Sequence, residues 1–261
     1  MTGPGARDPN CSISVVIPWF VESETEVLRT VERVHRILAA QSLEVIIVDD
    51  LGSHELVRGE RLAQQGVMVL SHDRNQGKGR SLRDGIVASS GESIIVVDCD
   101  LPYEDCCVSH FVDQWLRLEC VLLVTARKRS AESGSVVWSR ELASRVFRAL
   151  WVLLFGSAVT DPQSCLKAMR GSWARMVVSS LTSDSWSLDA ELVALALSED
   201  VTTAEVQCNW LDVRARLSMS ESVVRLFSMC WELILIRLRT SRKRTSFVNR
   251  MMERSRITWP P

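Results

Sequence analysis

Asp98-Cys99-Asp100 follows the apolar run Ser93-Ile94-Ile95-Val96-Val97. The pattern reads as a buried strand that ends and sends two carboxylates from its tip on alternate residues. Hard divalent cations such as Mg²⁺ or Mn²⁺ prefer oxygen ligands and are commonly completed by substrate phosphates. A cation held by Asp98 and Asp100 would neutralise a diphosphate as it leaves a sugar. A second apolar run, Val45-Ile46-Ile47-Val48, ends in Asp49-Asp50. The loop Asn75-Gln76-Gly77-Lys78-Gly79 precedes a helical pattern that contains Arg83. Its glycines permit close backbone approach, a helix N-terminus favours anions, and Lys78 adds a point charge, which together suit a diphosphate. The loop does not match G-x-x-x-x-G-K-[ST], so it is not a P-loop. Taken singly, a D-x-D pair is also a solvated strand end, and such a loop is also an ordinary glycine turn.

These residues need elements to carry them to one place. Residues 12–17, 44–48, 67–70, 93–97 and 121–125 read as strands, the first stopped by Pro18 and the last leading to Arg127. Helical spacing predicts helices over 24–40, around 54–65 and over 79–90. Continuously apolar strands separated by amphipathic helices imply an α/β fold with a mostly parallel central sheet covered on both faces. Ligands of such sheets bind beyond the carboxyl ends of the strands. Pro18, Asp49-Asp50 and Asp98–Asp100 all lie at such ends. The second half predicts a helix over 139–156, a loop into a short strand over 161–170, a helix over 188–197, a strand over 204–210 and a long apolar helix over 220–238. The helix over 139–156 has Val146, Leu150, Leu153 and Leu154 on an apolar face and Arg140, Arg145 and Arg148 on a basic side.

Composition narrows the class. The chain has 261 residues, enough for one large α/β domain, and its formal net charge of -1 makes no global case for nucleic-acid binding. Eight cysteines without a C-x-x-C spacing read as reduced thiols of a cytoplasmic protein. No stretch reaches the roughly 18 apolar residues that a spanning helix needs. Residues 1–10 read as a disordered leader, 11–240 as one domain and 241–261 as a basic tail. The apolar segments 139–156 and 220–238, flanked by Arg and Lys, read either as core helices or as interfacial helices touching a membrane face.

Ser14-Val15-Val16-Ile17-Pro18, the segment Glu44 to Asp50, Asn75-x-Gly77-Lys78-Gly79 and Asp98-x-Asp100-Leu101 recur in that order in family 2 glycosyltransferases of GT-A fold. The chain resembles that family over roughly residues 12–240. Its second half narrows the resemblance to polyprenyl-phosphate sugar transferases, dolichyl-phosphate β-glucosyltransferases above all. Asp161-Pro162-Gln163-Ser164-Cys165-Leu166-Lys167 is similar to their D-T-Q-C-G-F-K, and Trp186-Ser187-Leu188-Asp189-Ala190-Glu191-Leu192 to W-A-F-D-V-E-L. Asn209-Trp210 matches their N-W, and Leu235-Ile236-Arg237-Leu238-Arg239 the end of their last helix. There are departures. No counterpart of the family's N-terminal membrane helix is expected. A-Y-N-E reads Trp19-Phe20-Val21-Glu22, a Gly is replaced by Cys165, and G-S-K reads Arg214-Ala215-Arg216. The last two lie where the family handles its acceptor.

The resemblance implies a metal-dependent, inverting sugar transfer from a nucleotide sugar, UDP-glucose first. Pro18, Glu22, Asp50, Gly77, Lys78, Arg83, Asp98 and Arg127 would then bind the donor, and Asp98 and Asp100 would hold Mg²⁺ or Mn²⁺. Asp161, Gln163 and Lys167 resemble the acceptor strip. A polyprenyl phosphate acceptor arrives largely ionised and needs no strong base. A hydroxyl on a small molecule needs one, with Asp189 or Asp161 as the candidate. Asp189 and Glu191 also read simply as helix N-terminal charge. His72 reads as a solvated loop histidine, and Trp186 and Trp210 as core or pocket walls. A catalytically silent nucleotide- or partner-binding protein is the reading from another class. A nucleotidyltransferase shares the strand-end carboxylates but not the second-half motifs.

Overall fold

The computed structural model describes residues 12–51, 59–129, 138–211 and 227–241. The strands are β1 (Ile13–Trp19), β2 (Leu43–Asp49), β3 (Met68–Ser71), β4 (Ser93–Val96), β5 (Leu122–Arg129), β6 (Lys167–Arg170) and β7 (Thr203–Trp210). They form one seven-stranded sheet in the order β3-β2-β1-β4-β6-β5-β7. β1 to β4 run parallel, β5 and β7 pair in parallel, and β6 is antiparallel to both of its neighbours. The strand order reverses between β1 and β4, so their carboxyl ends open a crevice at a topological switch point. Antiparallel β6 starts at that same rim, with Lys167 opposite Val96 and Val124. A strand running the other way thus brings a lysine to the edge where the other strands bring carboxylates.

The helices are α1 (Glu24–Ile37), α2 (Glu60–Gln64), α3 (Lys78–Ala88), α4 (Asp105–Arg117), α5 (Trp138–Phe155), α6 (Gly171–Val177), α7 (Leu188–Ser198) and α8 over residues 227–241. Two apolar clusters cover the faces of the sheet. One joins β1 and β2 to α1 and α4 through Ile17, Ile47, Val31 and Phe111. The other joins β4 and β5 to α3, α5, α7 and α8 through Ile94, Leu82, Trp151, Val193 and Ile236. The expected architecture is therefore present.

Individual elements differ from expectation. The helix expected around 54–65 starts at Glu60, because Gly59 adopts φ +90, which no helical residue does. Residues 54–58 and 220–226, the leader over 1–10 and all of the tail but Ser241 lie outside the described residues. α4 was not predicted, although Val108, Phe111, Val112 and Trp115 bury one face at helical spacing. In α5 Phe147 and Trp151 are buried and Leu150 and Leu154 pack beside them, while Val146 and Leu153 are exposed, so half of the predicted apolar face packs and the buried face is turned from it.

α1 positions the site. Ser23 and Glu26 form a capping box at its start, an arrangement in which the cap residue contributes about 1 kcal/mol. From this helix Thr30 donates to the Cys99 carbonyl at 2.5 Å, and Arg33 donates to the carbonyls of Leu101 and Tyr103 and pairs with Asp105 at 2.7 Å. The backbone of the D-x-D turn is thereby clamped from outside. Leu101 takes φ +33 there, a conformation that a branched side chain adopts only under such constraint.

Candidate active site

The glycine loop is held at both ends by backbone amides. The amides of Gln76 and Gly77 each donate to the Asp50 carboxylate at 2.7 Å, and the Gly79 amide donates to the Asp184 carbonyl at 3.0 Å. A Cβ on Gly77 would stand 2.2 Å from the Asp184 oxygen, and one on Gly79 would stand 2.5 Å from the Ser183 oxygen. The glycines thus admit a second loop of the same chain, residues 181–187. Gly77 also has φ +92. Gly77→Ala is expected to destabilise the fold by at least about 1–2 kcal/mol through left-handed strain alone. Urea unfolding checks this, and an unchanged midpoint would contradict it.

Glu191 and Arg83 hold the facing loop. Glu191 accepts from the Thr182 and Ser183 amides, both at 2.9 Å, and from the Thr182 hydroxyl at 2.7 Å. Helix charge complementarity is therefore not its main role. Arg83 donates to the Leu181 carbonyl at 2.8 Å and pairs with Asp184.

Between the loops lies a chain of alternating charges. Lys78 Nζ is 2.7 Å from Asp98 Oδ1 and 3.0 Å from Asp189 Oδ2, and Lys167 Nζ is 2.7 Å from Asp189 Oδ1. Lys167 is fully buried and also donates to the Ser164 carbonyl. Burial alone would push the Lys78 ammonium down, but the charges of Asp189 and Asp98 outweigh it and hold it above the usual lysine value. Burial alone would raise the Asp189 carboxyl. Lys167 and Lys78 outweigh that and hold it below 3.8.

Asp161 is committed in the same way. It accepts from Arg127 Nε at 2.7 Å, Nη2 at 2.8 Å and the Arg127 amide at 3.1 Å. Burial opposes its ionisation, yet the facing guanidinium keeps the carboxyl below its ordinary range. Glu205 fixes this loop by accepting from the Thr160 and Asp161 amides at 2.9 and 3.0 Å. Burial, with Asp98 nearby, pushes the Cys165 thiol up to about 12, so it stays neutral and is no nucleophile.

A cavity of about 530 Å³ adjoins Lys78. The loops contribute Ser183, Ser185 and Trp186 to its wall, and α8 contributes Glu232, Leu235 and Arg239. Trp186 is half exposed, with the Lys78 ammonium 4.7 Å from its ring centroid, so it walls the cavity. Trp210 packs in the core with Arg127 over its ring.

The structure thus brings Lys78, Asp98, Asp161, Asp189, Arg127 and Lys167 to one rim with Pro18, Asp50 and Asp100. Asp50 and Arg83 face inward onto the chain's own loops. Glu22 holds the turn after β1, accepting from the Phe20 amide at 3.2 Å. The reading of His72 as solvated is corrected: its side chain is 8% exposed and lies between Asp50 and Asp84. Its sequence neighbours are polar, but its partners come from two other elements. Sequence reasoning also missed Glu205 and Thr30. The Arg214-Ala215-Arg216 departure lies outside the described residues.

A hard divalent cation fits the donor set at the β4 tip. The oxygens of Asp98 and Asp100 are of the type it prefers, and the place beside Asp98 already accommodates a positive charge, that of Lys78. Among the described residues, three ligand atoms lie within 4.8 Å of one another only in Glu104, Cys106 and Cys107, an exposed group whose thiols suit softer ions.

The family model "Glycosyl transferase family 2" matches residues 14–175. The dolichyl-phosphate β-glucosyltransferase of Mus musculus is 26% identical over 224 residues, which cover 78% of this chain and 69% of that one. The human enzyme of that name is 26% identical over 225 residues with the same coverage. Glucosyl-3-phosphoglycerate synthase from Mycobacterium tuberculosis, solved with Mn²⁺, UDP-glucose and phosphoglyceric acid, superposes with a TM-score of 0.60 at 22% identity, covering 88% of this chain and 80% of that one. At that identity the likeness shows the GT-A fold.

Proposed function

The chain belongs to glycosyl transferase family 2 and is a glycosyltransferase, and from that premise we propose that it moves glucose from UDP-glucose to a polyprenyl phosphate with inversion. The relatives named for dolichyl phosphate and the neighbour solved with UDP-glucose and Mn²⁺ support the choice of substrates and metal. One observation of this structure carries the acceptor. Both carboxylates that might serve as a base, Asp161 and Asp189, are locked in ion pairs and held below the usual carboxyl range. A general base works best with a pKa near the operating pH, and neither qualifies. A phosphate acceptor is already ionised and needs none.

In this reading Asp98 and Asp100 would hold Mg²⁺ or Mn²⁺, which would supply positive charge to the departing diphosphate. Lys78, brought in by the glycine loop, adds a second fixed charge at the same rim. Asp189 and Lys167 keep Lys78 in place, and Arg127, fixed by Asp161, offers a guanidinium on the β5 side for the acceptor phosphate.

α8 supports a lipid acceptor. Phe227, Trp231, Ile234 and Leu238 are 73%, 60%, 38% and 56% exposed, and their spacing puts them on one stripe. The other side of the helix is buried through Leu233 and Ile236 and reaches the cavity. No helix among the described residues is long and apolar enough to cross a membrane. The stripe, with exposed Arg237 beside it, fits an interfacial helix on an anionic membrane face.

Labelled UDP-glucose, Mn²⁺ and dolichyl phosphate in phosphatidylserine vesicles are expected to give labelled lipid. The protein is expected to sediment with the vesicles at low salt and to be released as salt rises. Transfer to a soluble hydroxyl acceptor alone, with all protein left in the supernatant, would overturn the lipid assignment.

A further inference from the structure

His72 is absorbed by none of the motifs above, yet it is among the most enclosed polar side chains near the site. Its Nδ1 is 2.7 Å from Asp50 Oδ1 and its Nε2 is 3.1 Å from Asp84 Oδ2. The backbone holds it from behind, since the His72 amide donates to the Asp49 carbonyl at 2.9 Å. Asp50 lies at the end of β2, and His72 follows the last residue of β3. Asp84 belongs to α3, the helix that begins at Lys78, and it accepts from Arg80 Nε at 2.8 Å. The ring therefore ties two strand ends to the helix behind the glycine loop.

Asp50 is the node of this link. Asp50 Oδ1 meets both the ring Nδ1 and the Gln76 amide, so ring and loop share one carboxylate oxygen. The same carboxylate takes the amides of Gln76 and Gly77. Those two bonds are the near anchor of the loop, and the Gly79 amide on Asp184 is the far one. Lys78 lies between the anchors, with its ammonium between Asp98 and Asp189. Without the ring, the Asp50 carboxylate could turn about its terminal torsion, which is intrinsically soft. Asp84 restrains the ring in turn.

We infer that His72 is a positioning residue of the donor site: through Asp50 it fixes the backbone of Gln76 and Gly77, and so fixes where Lys78 enters the carboxylate cluster. The inference rests on the reading of this loop as the one that receives the donor diphosphate. The ring's polar contacts run to Asp50 and Asp84, so it acts through the glycine loop: its loss weakens donor binding and leaves the acceptor side alone.

Two amide variants divide the ring between them. His72→Asn keeps a donor near the Nδ1 position, facing Asp50, and His72→Gln keeps one near Nε2, facing Asp84. UDP affinity is measured by calorimetry, donor and acceptor KM by kinetics, and exchange of the Gln76 and Gly77 amides by NMR. His72→Gln is expected to weaken UDP binding and raise donor KM about tenfold, with a similar acceleration of both amides, while acceptor KM stays within about twofold. His72→Asn should restore all three to within about threefold of the unaltered protein. Asp84→Asn, which leaves His72 and Asp50 in place, should shift them in the same direction as His72→Gln but less. Equal effects of Asn and Gln would show a ring that merely fills space and would overturn the inference. So would unchanged exchange in His72→Gln. If the unaltered protein binds no UDP, the donor reading falls, and the exchange rates still decide whether His72 holds the loop.

Discussion

Asp100→Ala is expected to abolish sugar transfer while the protein stays folded, and EDTA is expected to do the same to the unaltered chain. The two carboxylates of the D-x-D turn are not equivalent here. Asp98 pairs with Lys78 at 2.7 Å, so its removal disturbs the lysine as well as any metal. The turn around Asp100 is held by other groups: Thr30 on the Cys99 carbonyl, Arg33 on Leu101 and Tyr103, and the Leu101 amide on the Asp98 carbonyl at 3.0 Å. Asp100 can therefore be truncated with its backbone left clamped. A bound divalent cation supplies several kcal/mol of charge stabilisation, and losing about 4 kcal/mol slows a reaction roughly 10³-fold. Activity should return to the EDTA-treated protein on adding Mn²⁺ or Mg²⁺ and should not return to Asp100→Ala. Full activity in EDTA would rule out the metal-dependent mechanism.

The strand ends were legible because β1, β2 and β4 are buried on both faces and read as unbroken apolar runs, and each run stops at a residue that chemistry can use. Less of the lateral arrangement was legible. β6 is four residues long and runs against its neighbours, so although the resemblance marked Lys167 for the acceptor strip, nothing in Lys167-Ala168-Met169-Arg170 announces its pairing with Asp189. Long-range pairs were hidden for the same reason. Lys78 meets Asp189 across 111 residues, and His72 meets Asp50 across 22. A polar stretch such as Ser71-His72-Asp73-Arg74 looks solvated when only its neighbours in sequence are considered. α4 is a different case. Its apolar spacing at Val108, Phe111, Val112 and Trp115 was available in the sequence, and no element was assigned to it. The glycines of the Asn75–Gly79 loop were read as letting backbone approach a diphosphate, and what stands against them in the structure is the chain's own loop at 183–185.

Asp189→Asn is expected to destabilise the protein strongly and to lower its activity mainly for that reason. The substitution keeps the shape and removes the charge that holds two lysines. The Asn oxygen can accept from only one of the two ammonium groups and its NH2 faces the other, so fully buried Lys167 loses its countercharge and Lys78 keeps only that of Asp98. Breaking a buried ion pair by removing one partner typically costs about 3–5 kcal/mol. The sign of the pH dependence follows from the lowered Asp189 pKa. Its stabilising contribution is complete above the ordinary carboxyl value of 3.8 and is lost as pH falls through the folded-state value. Unfolding midpoints of the two proteins should therefore differ most near neutral pH and converge in acid below 3.8. The double variant Lys167→Met with Asp189→Leu removes both charges of the inner pair and should recover part of the lost stability. It should not recover transfer, because Lys78 would still lack its second carboxylate. A catalytic base predicts another pattern: stability unchanged and a rate lower by about 10²–10⁴-fold with a hydroxyl acceptor. Stability loss with a phosphate acceptor supports a charge clamp, whereas a purely kinetic loss would return Asp189 to the role of base and the acceptor to a hydroxyl.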